Sequence, residues 1–307
     1  MTKTLNPRLD VVFKLLFAAE RNRRLLIALL NDVLQPKPPV ASVTVVNPDI
    51  EKDAPDDRGL ILDILVVHDD RTRSNIEMQV QDRGATEKRA LYHWARVYRD
   101  GVGVGDDFAD LNPCRVVVFL SYRILPGRRL HSTFQALEVH DGHRLSDDFA
   151  VHIVELPNLG VDVDAADSGV HAWARFLAAE TDEERQKVAM KNTIINEAND
   201  ALKQLSRDPD AQRLARWRED QLRLSRVEMT ETKKAAEREG REKGRKEGRK
   251  EGRREGREEE ARDGIRALCR AFEITLSSDR EERINNATLE QLNFLRDSML
   301  QQRRWPI

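Results

Sequence analysis

Cysteine is scarce: Cys114 and Cys269 are the only two in 307 residues. They lie far apart, which excludes a disulfide framework and a cysteine-rich zinc site and points to a reducing compartment, the cytoplasm. Aromatic residues are few as well, 5% against 35% charged residues. That balance is too polar for one packed core, so part of the chain should be solvated helix. No sign of charge dominates, with 52 Lys+Arg against 54 Asp+Glu and a formal net charge of -2. A globally basic nucleic-acid-binding coat is therefore excluded, and any basic surface must be local. The opening MTKTLNPRLD has no apolar stretch, so no secretory leader is expected. The longest apolar runs, Leu60–Val67 and Val116–Leu120, are far too short to span a bilayer, so no membrane partner is expected.

What is present divides the chain. Asn6-Pro7 reads as a helix start, with Asn6 as N-cap and Pro7 in the first turn. Leu9, Val12, Phe13, Leu16 and Phe17 then fall on one helical face. A second helix carries Leu25, Leu26, Leu29, Leu30 and Val33 inward and stops before Pro36. Val40–Val46, Leu60–Val67, Asn75–Val80, Arg115–Ser121, Thr133–Val139 and Ala150–Leu156 read as strands, with a helix from Gly84 to about Gly101. Leu60–Val67 is apolar on both parities, as expected of a strand covered on both faces. The order predicts a mixed α/β domain over residues 1–165. Residues 166–232 then read as helical, with one helix opening at Trp173, Phe176 and Leu177 and another over Val188–Leu205. Residues 233–262 are almost entirely Lys, Arg, Glu and Gly, with a glycine every fourth residue from Gly240 to Gly256. Each glycine costs a helix about 1 kcal/mol and Glu/Lys pairs return only a few tenths, so this stretch reads as a solvated spacer or a marginal helix. Residues 263–307 are amphipathic helix again, with Leu289, Leu292, Leu295 and Met299 in one stripe.

Asp63 is the anomaly, a carboxylate inside the most apolar run of the chain. Burying it without a partner costs several kcal/mol, so it should bind a cation, pair with a base or face a cleft. The next strand alternates Ile76, Met78 and Val80 with Glu77 and Gln79. A tight connection near residue 70 sets Asp63 across from Glu77. Two carboxylates that close repel unless a divalent cation lies between them. Hard oxygen ligands suit Mg²⁺, and Mg²⁺ suits phosphoryl chemistry.

The pattern resembles the PD-(D/E)XK nuclease superfamily and, within it, the Rpn family of recombination-promoting nucleases, also described as transposases. The resemblance rests on Asp10-Val-Val-Phe13-Lys14 with Phe17, then Leu62-Asp63-Ile64, then Ile76-Glu77-Met78-Gln79, then Arg89 and Tyr92. It implies a restriction-endonuclease-like mixed sheet flanked by helices. It also implies catalytic Asp63, Glu77 and Gln79, with Mg²⁺ (Mn²⁺ substituting) held by Asp63, Glu77 and the Met78 carbonyl. The implied activity is hydrolysis of DNA phosphodiesters to 5′-phosphate and 3′-hydroxyl ends, tied to recombination. Gln79 stands where the superfamily has lysine. An amide carries no positive charge and cannot act as a base, so it can only orient water or a phosphate oxygen.

Arg89, Tyr92, Arg96 and Arg99 form one helical stripe, read as a face for nucleic-acid phosphates. Asp10 and Lys14, at i and i+4, read best as an ordinary surface ion pair; a supporting role near the metal is the other reading. His68, His93, His131 and His140 show no metal spacing and read mostly as surface residues; Trp94 and Trp217 read as packing residues. The competing function is a catalytically weak or inactive nuclease fold that acts in assembly or regulation through its helical tail. A homo-oligomer through the C-terminal helices fits either reading.

Overall fold

The computed structural model describes residues 3–47, 63–103, 105, 107–160 and 169–306. The chain forms two compact units, Met1–Leu224 and Ser225–Ile307. The first opens with α1 (Asp10–Phe17), α2 (Arg23–Leu34), β1 (Val43–Val45), β2 (Ile64–His68), β3 (Arg73–Gln79) and α3 (Thr86–Arg99). It continues through β4 (Cys114–Leu120), β5 (His131–Phe134), β6 (Phe149–Glu155), α4 (Val170–Ala178), α5 (Asp182–Ala189) and α6 (Thr193–Leu205). Next comes α7 (Pro209–Ala271), which contributes residues to both units.

Among the described residues the strands form one sheet in the order β1-β2-β3-β4-β6-β5. The hairpin β2–β3 is antiparallel, whereas β3–β4 and β4–β6 are parallel. A parallel neighbour requires a crossover, and α3 supplies it between β3 and β4. The central strand β4, with Val116 to Leu120 fully enclosed, is apolar on both parities because helices cover both faces. On one face Phe13, Phe17, Leu26, Trp173, Phe176 and Leu202 join Ile76, Met78 and Phe119 in a continuous core. The rings of Phe13 and Phe119 lie 5.8 Å apart. On the other face Ala90 of α3 packs on Val116, Val118 and Leu120. This is the mixed, helix-flanked sheet that the sequence predicts.

Several local expectations are corrected. The first helix begins at Asp10, not at Pro7; Asn6 instead closes a small turn by accepting from the Arg8 amide (3.0 Å). Asp10 and Lys14 are both buried rather than on a helix surface. The partner of Asp10 lies 208 residues away: Arg218 of α7 clamps its carboxylate, with Nε 2.9 and 3.0 Å from the two oxygens. The helix expected over Val188–Leu205 is two helices, because Asn192 caps α6 by accepting from the Ile194 and Ile195 amides. Trp217 is substantially exposed, whereas Trp94 is partly buried and stacks on Tyr98. His68 is buried against the Ser74 hydroxyl at 2.8 Å, and His131 stacks on His152. Residues 60–62 of the expected Leu60–Val67 strand lie outside the described residues, and β2 begins at Ile64.

The glycine-spaced stretch is helical, with Glu239–Lys243 and Glu242–Lys246 ion pairs one turn apart. In the second unit, Ile265 and Cys269 of α7 pack on Ile284 of α8 (Ser278–Asn286) and on Leu292, Leu295 and Met299 of α9 (Leu289–Gln302).

Candidate active site

β3 alternates between the two sides of the sheet, and its odd positions Asn75, Glu77 and Gln79 lie on the α3 side. In the β2–β3 hairpin Ile64 pairs with Ile76. Continuing that register by one residue sets Asp63 opposite Glu77 on the same side. Asp63 is thus the residue immediately before β2 rather than a mid-strand position. Asn47 holds it there: its Nδ2 donates to the Asp63 carbonyl (3.1 Å), and its Oδ1 accepts from the Leu65 amide (2.7 Å).

Both carboxylates are largely removed from solvent, Asp63 at 5% exposure and Glu77 at 13%. Each meets the helix above it. Arg89 Nη2 donates to Glu77 Oε1 at 2.8 Å, His93 Nε2 stands 3.9 Å from Glu77 Oε2, and Arg96 Nη2 stands 3.6 Å from Asp63 Oδ2. Positions 89, 93 and 96 have the i, i+4, i+7 spacing of one helical face. The basic stripe expected from sequence is therefore rotated. Arg89 and Arg96 face the acids, whereas Tyr92 is 65% exposed and Arg99 turns outward to Asp100 at 2.7 Å.

Gln79 is buried, and its Oε1 accepts from the Tyr122 hydroxyl at 2.6 Å. That hydroxyl is also 2.9 Å from Thr86 Oγ1. Burial pushes the Tyr122 phenol above its usual range, so it stays neutral and able to donate. The Met78 side chain lies in the opposite core and does not reach this side. Asp10 and Lys14 belong to α1, whose Phe13 packs on the other face of the sheet.

Among the described residues, buried polar atoms without a hydrogen bond lie on this one side at Asp63 Oδ2, both ends of Asn75, Gln79 Nε2 and His93 Nδ1. Each such atom costs roughly 1–3 kcal/mol while unpaired, so this side carries hydrogen-bonding capacity that the opposite, apolar side lacks. Asp63 and Glu77 offer hard oxygens to a divalent cation. Among the described residues, no three His, Cys, Asp or Glu side chains converge as a cation site. Two carboxylates are a partial set, of the kind a divalent cation completes with water.

A helix-flanked mixed sheet with two acids set opposite each other at one hairpin defines a restriction-endonuclease-like architecture. A family model described as PD-(D/E)XK nuclease family transposase matches residues 7–239 of the 307, and the chain belongs to that family. Membership carries a nuclease- or transposase-like role, a DNA substrate and the superfamily's general use of divalent metal. No curated protein and no solved structure matches the chain. Among the described residues no helix is long and apolar enough to cross a membrane.

Three participants were not expected from sequence, where His93 reads as a surface residue. His93 had a signal, since it shares a helical face with Arg89 and Arg96. Asn47 and Tyr122 had none, because the sheet register alone brings them to Asp63 and Gln79.

Proposed function

We propose that the protein is a Mg²⁺-dependent DNA endonuclease of the Rpn recombination-promoting type, acting in the cytoplasm. The observation that carries this reading is the pairing of Asp63 and Glu77 on one side of the β2–β3 hairpin beneath Arg89 and Arg96. Asp63, Glu77 and the Met78 carbonyl would hold the cation. When bound, it supplies Lewis-acid polarisation of a phosphoryl oxygen and makes an attacking water more acidic. Arg89 and Arg96 exchange their carboxylate partners for phosphate oxygens as the DNA backbone enters, which keeps the charge of the site near balance. Gln79 donates through Nε2 to water or a phosphate oxygen. Tyr92 and Arg99, on the exposed side of α3, reach backbone phosphates further along the duplex and position it without reading sequence.

Supercoiled-plasmid cleavage tests this directly. Wild type should nick in Mg²⁺ or Mn²⁺, Asp63→Ala and Glu77→Ala should not, and Gln79→Lys should be faster than wild type. Undiminished nicking by Asp63→Ala overturns the assignment.

A second reading has its own observation: both acids already face arginines, and the superfamily lysine is a glutamine. In that reading the fold is an inactive assembly or regulatory module, self-associating through its C-terminal helices. No heat of binding with millimolar Mg²⁺ or Mn²⁺ selects it.

A further inference from the structure

Resting on the nuclease reading, we infer that Tyr122 is a positioning residue that locks the Gln79 carboxamide in one orientation, with its nitrogen presented as donor where the superfamily places a lysine. A primary carboxamide has two nearly isosteric orientations of opposite polarity. With nitrogen toward the acids and phosphate it donates, as a lysine would. Flipped, it turns a carbonyl oxygen toward phosphate oxygens and repels them. A lone glutamine has no means of choosing between the two.

The structure supplies the choice through a phenol set against one end of the amide. In the parallel β3–β4 ladder Gln79 pairs with Leu120, and the Ser121 amide donates to the Gln79 carbonyl at 2.9 Å. The next residue is Tyr122, whose ring is partly buried against the Ala90–Val118 cluster. Its single hydroxyl proton goes to Gln79 Oε1 at 2.6 Å. Thr86 Oγ1, 2.9 Å from the same phenol oxygen, must then donate into it. Thr86 is 2% exposed at the first residue of α3, so its hydroxyl has little solvent competition. With the phenol donating to Gln79 Oε1, the relay runs Thr86→Tyr122→Gln79 and ends on the amide oxygen. Gln79 Nε2, buried and without a hydrogen bond among the described residues, is the group left over. A lysine at position 79 would carry donors in every rotamer and need no such relay.

The test uses full-length wild type, Tyr122→Phe, Thr86→Val, Gln79→Lys and the double variant Tyr122→Phe/Gln79→Lys. Two readouts are taken: single-turnover cleavage in Mg²⁺, and hydrogen exchange of the Gln79 carboxamide in ¹⁵N-glutamine-labelled protein, its signal assigned by its loss in Gln79→Lys. Tyr122→Phe should slow cleavage by about tenfold, the worth of one buried hydrogen bond. Thr86→Val should slow it less. In the Gln79→Lys background, Tyr122→Phe should change the rate by no more than about twofold, a non-additivity diagnostic of acting through residue 79. Mg²⁺ affinity should be the same in wild type and Tyr122→Phe, and carboxamide exchange should accelerate by about tenfold in Tyr122→Phe. An equal loss in both backgrounds, or an unchanged carboxamide signal in Tyr122→Phe, overturns the inference. If wild type itself does not cleave, the nuclease reading fails, and the exchange measurement still decides whether Tyr122 holds Gln79.

Discussion

The two sides of strand β3 are built from alternate residues of one seven-residue segment, yet they follow opposite rules. Ile76 and Met78 enter a core of phenylalanine, leucine and tryptophan from α1, α2, α4 and α6. Asn75, Glu77 and Gln79 face α3, where polar atoms remain unpaired and three basic side chains lean over two acids. The first side holds the fold together. The second forgoes some of that stability to keep charge and hydrogen-bond capacity in reserve. Stability and chemistry are thus separated by the period of two in the strand, and mutations on the two sides should separate them too.

The sharpest separation is expected at the acids. Asp63→Asn and Glu77→Gln should each lower plasmid cleavage by on the order of 10²–10³-fold. Their effect on urea unfolding should stay within about 1 kcal/mol, because the arginines they release are partly solvated. On the other side, Phe119→Ala should reverse this pattern, costing about 3–5 kcal/mol of unfolding free energy. Cleavage per folded molecule should be unchanged.

A third prediction concerns the exception on the apolar side, the stacked His131–His152 pair, whose ring nitrogens meet at 3.0 Å. Burial pushes His131 down to about 4 and His152 down to about 3, each from an ordinary 6.5. The unfolded chain therefore takes up protons below 6.5 that the folded chain refuses. Stability is full above that pH and falls as pH drops from 6.5 toward 3. Between pH 7.5 and 5 the loss should be roughly 2–4 kcal/mol by urea unfolding, and His152→Asn should flatten the dependence. The smallest effect is expected at His93, which stands 3.9 Å from Glu77 Oε2. His93→Gln should change cleavage by less than about tenfold and leave stability nearly untouched.

The division between the two sides is legible in the sequence. Alternation in Ile76-Glu77-Met78-Gln79 announced two unlike faces; the strand covered on both faces is β4, however, not the Leu60–Val67 run, whose Leu65 and Val67 are only half-buried. The spacing from Asp63 to Glu77 announced one hairpin. What sequence did not reveal depends on pairing across long separations. The Asp10–Arg218 clamp joins α1 to α7 and turns an apparent surface ion pair into a buried one. Tyr122 reaches Gln79 only through the parallel register. The rotation of the α3 stripe was a matter of phase: positions 89, 92, 96 and 99 and positions 89, 93 and 96 are both acceptable helical faces. Which one turns inward was decided by Ala90 and Val97 packing beneath α3. The break at Asn192 could have been read, since Asn-Thr before an apolar run is an N-cap signature.

Calorimetric titration of Mg²⁺ into wild type and Asp63→Asn, both full length, probes the shared acid pair without requiring turnover. Saturable binding to wild type at one ion per chain, abolished in Asp63→Asn while its melting temperature is kept, is the expected result. Binding that survives in Asp63→Asn, or none in wild type at millimolar Mg²⁺, would contradict a metal centre between these two strands.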